Sequence, residues 1–151
     1  MHRFLVRTVA VASVVLLAGC LTAPTQNTAS GQPEVVIAGK TAKAILGVAS
    51  NEFVNQGYSI RSRTEMNAVF EKKLTGAVAF MLSGPGLADP VYRVTLNFVE
   101  SDAQTRVLGE LSVVSNPGGG RGGPEKIQTA HDAQEHKKLQ DQLNAIRDKM
   151  K

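Results

Sequence analysis

The chain has 151 residues, with 17 Lys or Arg against 13 Asp or Glu, and a formal net charge of +4. This length leaves room for one domain of ordinary size. Arg3 and Arg7 lie in a leader-like segment, and without them the net charge falls to +2. That charge excludes a strongly basic domain of the kind that binds nucleic acid, so we expect no nucleic-acid partner.

The first 20 residues have the pattern of an export signal. Arg3 and Arg7 precede an apolar run, residues 9–19, that is interrupted only by Ser13. The run is shorter than the roughly 20 residues needed to cross a bilayer. A positive flank followed by a short apolar centre is typical of a secretory signal peptide.

The signal ends in Leu17-Ala18-Gly19-Cys20, which resembles the lipobox of bacterial lipoproteins. The resemblance implies removal of residues 1–19 and lipidation of Cys20, which becomes the new N-terminus. Cys20 is the only cysteine and so has no disulfide partner, and acylation explains its presence in an exported chain. The alternative is an ordinary signal peptide whose last residues happen to include a cysteine.

Leu21 follows the cysteine at the position where, in this family, a signal for inner-membrane retention usually carries Asp. In a proteobacterium, the resemblance therefore implies an outer-membrane protein that faces the periplasm. Several acyl chains, each contributing about 0.8 kcal/mol per buried CH₂, would make the attachment effectively permanent. Residues 20–33 are then the lipidated N-terminus and a flexible tether, since residues 22–33 are small, polar or Pro. Residues 34–151 form a single domain.

The domain begins with two well-marked elements. Residues 34–39 are rich in β-branched side chains and predict a buried strand. The next segment changes to a helical period, with Thr41 as a candidate N-cap and Gly57 at a left-handed C-terminal position. Its apolar face consists of Ala42, Ile45, Leu46, Ala49 and Phe53.

The middle of the chain predicts a run of strands. Residues 58–63 and 66–74 alternate in polarity, and residues 76–84 are apolar on both faces, which predicts a central strand. A Gly- and Pro-rich break follows at residues 84–90. Residues 91–100 and 105–115 then predict a hairpin. In its first strand Tyr92, Val94, Leu96 and Phe98 are expected to face inward, and Arg93, Thr95 and Asn97 outward.

The C-terminal segment predicts a helix that opens with a variant capping box, Thr129-x-x-Asp132. Its apolar stripe consists of Leu139, Leu143, Ile146 and Met150. This stripe can pack on the domain's own sheet or on a helix of another chain. The stripe is only about two heptads long, so we favour packing on the sheet.

These elements predict an α+β fold with an antiparallel sheet of about five to six strands and two helices, in the order β-α-β-β-β-β-β-α. The order resembles the TATA-binding-protein-like and helix-grip arrangements, which implies that the helices cover one face of a curved sheet. The resemblance extends over residues 34–151 in element order only. It carries no DNA-binding or ligand-binding residues with it, because a fold by itself does not specify function.

A glycine-rich stretch, residues 116–124, is the first candidate site. Gly118-x-Gly120-x-x-Gly123 matches the letters of a dinucleotide fingerprint, but the chain ends too soon for the βαβ unit that the fingerprint requires. Arg121 among exposed backbone N–H groups is an alternative anion site. We favour a flexible turn that lets the last helix return to the sheet.

The segment around His131 and His136 is the second candidate. His131 and Glu135 are four residues apart, and so are Asp132 and His136. The two histidines are five apart and point in different directions on a helix, so they cannot share a metal ion. We expect a solvated face with local charge pairs and no metal site.

Other candidates for chemistry are weak. Ser83 and Ser112 lack the sequence context of a catalytic nucleophile, and Glu100 with Asp102 suits an ordinary hairpin turn. Lys72 and Lys73 are expected where a strand end meets solvent. The sequence thus predicts no enzyme and no cofactor.

The favoured function is a non-catalytic interaction or envelope-assembly module, attached to the membrane through Cys20 and bound to a protein partner. The alternative is a carrier that holds an apolar or lipid-like ligand between the sheet and the C-terminal helix. A hydrolase would need a buried cluster of polar residues, and no motif in the sequence indicates one.

Overall fold

The computed structural model describes residues 27–120, 123–130 and 132–151. Residues 1–19, Cys20 and Leu21 lie outside this part of the chain. The fold is α+β with an antiparallel sheet, as predicted. Its elements are β1 (Glu34–Ala38), α1 (Ala42–Asn55), β2 (Ser59–Arg63), β3 (Asn67–Lys73), α2 (Gly76–Leu82), β4 (Val91–Ser101), β5 (Gln104–Ser115), β6 (Lys126–Thr129) and α3 (Ala133–Lys149).

The sheet is built around the long β4–β5 hairpin. Its strand order is β1-β5-β4-β3-β2, and β6 also pairs with β5. β1 pairs with residues 104–108 of β5, whereas β6 pairs with residues 112–115. β1 and β6 therefore lie end to end along one edge of β5, since β4 occupies the other edge.

Helix α1 has the predicted ends. The Thr41 hydroxyl accepts a hydrogen bond from the N–H of Ala44 at 3.3 Å, which caps the first turn. Gly57 has a φ of +86°, and the N–H of Tyr58 bonds to the carbonyl of Phe53 at 3.0 Å. This pattern closes the helix because the left-handed glycine lets the chain turn back on the last carbonyls.

The hydrophobic core lies between one face of the sheet and the helices α1 and α3. The predicted face of α1 is buried, and so are Leu139, Leu143 and Ile146 of α3. The seam of α3 therefore packs on the domain's own sheet, as predicted. The sheet contributes the buried side chains Val35, Ile37, Ala68, Phe70, Val94, Leu96, Phe98, Val107 and Leu111.

The predicted central strand at residues 76–84 is wrong, because this segment forms the helix α2. A short apolar run does not distinguish a strand from a helix by its period. The position beside β3 is taken by β4, whose inward side chains alternate over 11 residues. The segment 74–90 is left as the connection between β3 and β4, and no residue of α2 is buried.

The start of the last helix also differs from the prediction. Residues 126–129 form the unpredicted strand β6, which contains Thr129. The N-cap of α3 is Asp132, whose carboxylate accepts hydrogen bonds from the N–H groups of Gln134 and Glu135. Thr129 therefore cannot begin the capping box, since its backbone pairs with Ser112.

The predicted tether is described only from residue 27 onward. Pro33 is buried, and its carbonyl accepts the N–H of Gly109 at 2.8 Å. The folded domain therefore includes Pro33. All members of the core cluster lie between Val35 and Ile146, so the chain from residue 33 onward contains the complete core.

Candidate functional site

Helix α2 exposes large apolar side chains to solvent. Phe80 is 85% exposed, Met81 80% and Val78 51%. Single exposed apolar residues are common on protein surfaces, whereas three within four residues of one short helix make this helix a candidate interaction site. The segment 74–88 contains no charged residue, so nothing in it favours exposure of this helix.

A groove lies at the end of β3 that leads into α2, between the sheet and α3. We call it the α3 groove, and its volume is about 690 Å³. Helix α1 contacts β2 and β4, whereas α3 contacts β1 and β5. The groove opens near the C-terminal end of α1. Its walls include Tyr58 and Tyr92 from the sheet side and Glu135, Lys138, Gln142 and Ala145 from α3.

The groups around the α3 groove carry both signs of charge. Lys138 pairs with Glu135 at 2.5 Å, and Lys73 pairs with Asp89 at 3.1 Å. The ammonium of Lys72 donates to the carbonyl of Gln56 at 2.8 Å. It also lies 5.4 Å from the centre of the Tyr58 ring.

Both tyrosines of the groove have raised pKa values. Desolvation is the larger cause for Tyr58 and for Tyr92, and the negative charge of Glu135 is the second. Both effects disfavour the phenolate. The two hydroxyl groups therefore stay protonated at neutral pH.

The glycine-rich stretch binds an anion that belongs to the chain itself. The carboxylate of Glu125 accepts the N–H of Gly118 at 2.7 Å. It also receives two hydrogen bonds from Arg93, at 2.7 and 2.9 Å, and one from Arg61 at 3.3 Å. The backbone N–H of Gly118 and two arginines thus surround the carboxylate of Glu125 in the way that a phosphate-binding loop surrounds a phosphate.

The same stretch is tied down by Asn116. This residue is buried and has a left-handed φ of +51°. Its side chain donates to the carbonyl of Gly123 at 2.6 Å and accepts the N–H of Ala88 at 3.1 Å. The stretch turns the chain, as predicted, but its described residues are held by hydrogen bonds and lead into β6 rather than into the last helix. Arg121 lies outside the described residues.

Arg93 points to the sheet face opposite the helices, as predicted, but it is buried there. Its guanidinium contacts Glu71 at 2.5 Å as well as Glu125. The hydrogen bond with Glu125 is the largest cause that raises the pKa of Arg93. The same contact lowers the pKa of Glu125 from 4.5 to about 2, with the N–H of Gly118 as the second cause.

In the histidine segment, His136 differs from the solvated face that we predict, whereas Glu135 and Lys138 form a local charge pair of the predicted kind. His136 is buried, and its Nε2 lies 2.6 Å from the carbonyl oxygen of Ala130. Since a carbonyl only accepts, Nε2 must carry the proton. His131 lies outside the described residues. Among the residues that are described, no three His, Cys, Asp or Glu side chains form a group that could hold a metal ion.

The remaining candidates have structural contacts. The hydroxyls of Ser83 and Ser112 donate to the carbonyls of Ala79 and Arg93. Glu100 accepts the N–H of Ala42 at 2.7 Å, so it binds the first turn of α1 rather than only completing a hairpin turn. This contact is favourable because the N-terminus of a helix attracts negative charge.

The α3 groove and the exposed helix α2 have only weak signals in the sequence. The α3 groove requires Tyr58 and Tyr92 to meet across non-neighbouring strands, which no local pattern encodes. One sequence signal could have indicated helix α2, namely the glycines on both sides of the apolar run. Two of these glycines, Gly76 and Gly86, have φ near +80°. A scan against protein-family models and a search of the curated proteins found no match.

Proposed function

We propose that this protein is a lipid-anchored, periplasm-facing protein of the outer membrane that acts as a non-catalytic interaction module. The observation that carries the proposal is the exposure of Phe80 and Met81 on α2. The anchor is the lipid that the lipobox resemblance implies at Cys20. Helix α2 is the element that docks to a protein partner of the cell envelope.

The energetics of α2 support docking. Removing a Phe or Met side chain from water contributes roughly 1.5–3 kcal/mol. The core does not obtain this contribution, since α2 lies outside it. A partner that covers Phe80, Met81 and Val78 would obtain it on binding. Aromatic and Met side chains are also enriched at protein interfaces.

Site-specific photo-crosslinking in living cells tests this proposal. A photo-reactive phenylalanine analogue at position 80 should yield one discrete adduct, and the same analogue at Lys43, an exposed residue of α1, should not. Phe80→Ser with Met81→Ser should abolish the function of the chain in the envelope and change its stability by no more than about 0.5 kcal/mol. A large loss of stability in this double variant, or equal adducts from both positions, would refute the proposal.

A carrier is the second candidate, and the α3 groove favours it. Its volume of about 690 Å³ falls in the range of small-molecule sites, about 300–1,000 Å³. It lies between the sheet and the C-terminal helix.

A further inference from the structure

The α3 groove has two aromatic rings inside a polar rim. The rings are those of Tyr58 and Tyr92, and the almost fully buried side chains of Val94, Leu111 and Leu139 also line the groove. The rim contains the exposed lysines 72, 73 and 138. A ligand that fits this arrangement has an apolar body and a polar head.

The charges at the rim determine whether the head group of the ligand is acidic or basic. Lys138 and Lys73 each pair with a carboxylate, as does Lys137 beside the groove, which pairs with Asp141. Lys72 differs, because no carboxylate among the described residues lies within ion-pair distance of it. Its partners are the carbonyl of Gln56 and the face of the Tyr58 ring. Lys72 is therefore the cation that can accept an acidic group without breaking an existing ion pair.

The phenols of Tyr58 and Tyr92 line the same groove as Lys72. The pKa of Tyr92 is raised by desolvation first and by Glu135 second, so its hydroxyl keeps the proton. A protonated phenol and an ammonium both donate, and an anionic oxygen accepts from both. Small-molecule sites commonly combine an apolar wall with a few such polar groups.

We propose that the α3 groove binds a single-chain amphiphile with an acidic head group. The head group lies at Lys72, and the chain lies over the rings of Tyr58 and Tyr92. The proposal rests on the carrier function and is independent of docking through α2. A free fatty acid and a lysolipid with an acidic head share this chemistry.

Binding of a fluorescent acid tests the proposal on the chain from residue 21 onward, which contains the whole hydrophobic core. The probe is 11-(dansylamino)undecanoic acid, and its methyl ester is the uncharged control. We expect the acid to bind about tenfold more tightly than the ester, since one charge-assisted hydrogen bond is worth about that factor. Lys72→Met should remove this preference, and Lys43→Met, an equal change on α1, should keep it.

Ala145→Trp tests the location, because residue 145 lines the groove from α3. This variant should bind neither probe, and circular dichroism should show the same fold for all variants. If Ala145→Trp unfolds the chain, Ala145→Leu replaces it. Unchanged binding of the acid in a folded groove-filling variant would overturn the proposal.

The other outcomes separate this proposal from the carrier function. Equal binding of acid and ester, unaffected by Lys72→Met, would overturn the acidic head group and leave a carrier of apolar ligands. No binding of either probe would overturn the inference and the carrier function together. A lysolipid with a phosphate head that displaces the acid would extend the ligand class to lysolipids, and displacement by fatty acids alone would restrict it to carboxylates.

Discussion

Arg93 and Glu125 form a two-pronged ion pair between β4 and the end of the glycine-rich stretch. The bonds measure 2.7 Å from Nη1 to Oε1 and 2.9 Å from Nη2 to Oε2. Planar guanidinium and carboxylate groups match in this geometry, so the pair fixes the relative orientation of the two side chains as well as their separation. The pair closes the β5–β6 connection over the sheet face opposite the helices.

The first prediction concerns acid. The pKa of Glu125 is about 2 in the folded chain and 4.5 ordinarily, so the unfolded chain takes up the proton first as the pH falls. The stabilisation from Glu125 is present above about pH 4.5 and is lost between about pH 4.5 and pH 2. The free energy of unfolding, measured in urea, should therefore fall more over this pH window for the wild type than for Glu125→Gln. Parallel curves for the two proteins would contradict the role of this carboxyl.

The second prediction concerns rescue by a small anion. Glu125→Ala leaves Arg93 and the N–H of Gly118 without their carboxylate, and we expect a loss of about 3 kcal/mol in the free energy of unfolding. Acetate should restore part of this loss in Glu125→Ala and have no such effect on the wild type. Chloride at equal ionic strength is the control for screening.

Asp89→Ala provides the matched comparison for the second prediction. Asp89 pairs with Lys73 at 3.1 Å, but both side chains are mostly exposed. Its removal should cost about 0–1 kcal/mol, and acetate should not restore it. Equal rescue of the two variants would show that acetate acts on the whole protein rather than at Arg93.

The third prediction concerns the seam of α3. Leu143 is fully buried in the core, so Leu143→Ala should lower the free energy of unfolding by about 2–5 kcal/mol. The molecular mass in solution should not change, because the seam packs on the chain's own sheet. Lys137→Ala, on the exposed side of the same helix, is the control. A well-folded monomer produced from an oligomer by Leu143→Ala would show that the seam binds another chain.

The fourth prediction concerns the close approach of β5 to α3. A Cβ at Gly109 would lie 3.1 Å from Cδ2 of Leu139 and 3.3 Å from Cδ1 of Leu143. Gly109→Ala should therefore cost about 1–3 kcal/mol through overpacking. Gly47→Ala should do the opposite and stabilise by up to about 1 kcal/mol, since Gly47 is helical and its Cβ would meet nothing within 4 Å. Thermal unfolding should show a lower melting temperature for Gly109→Ala and a higher one for Gly47→Ala than for the wild type.

The fifth prediction concerns the anchor. Intact mass of the protein extracted from membranes should show the loss of residues 1–19 and the addition of acyl chains at Cys20. Cys20→Ser should move the protein out of the membrane fraction, because the acyl chains supply the attachment. An unchanged membrane fraction would contradict lipidation as the means of attachment.

The sequence alone determined the elements whose pattern is local. The face of α1, its cap at Thr41 and the seam of α3 follow from a helical period with marked ends. The β4–β5 hairpin follows from two long alternating runs joined by a short turn. In each case the side chains that decide the element lie within a few residues of one another, so their period reports the surface that they bury.

Only the tertiary structure decided the features that depend on distant partners. Residues 76–82 are uniformly apolar, and they form an exposed helix because β4 pairs with β3 in the place a strand there would need. Arg93 is on the predicted outer face, but Glu125, 32 residues away, covers it. Tyr58 and Tyr92 line one groove because β2 and β4 flank β3. Pairing between strands is a choice among non-local partners, and a single-sequence period contains no information about which partner is chosen.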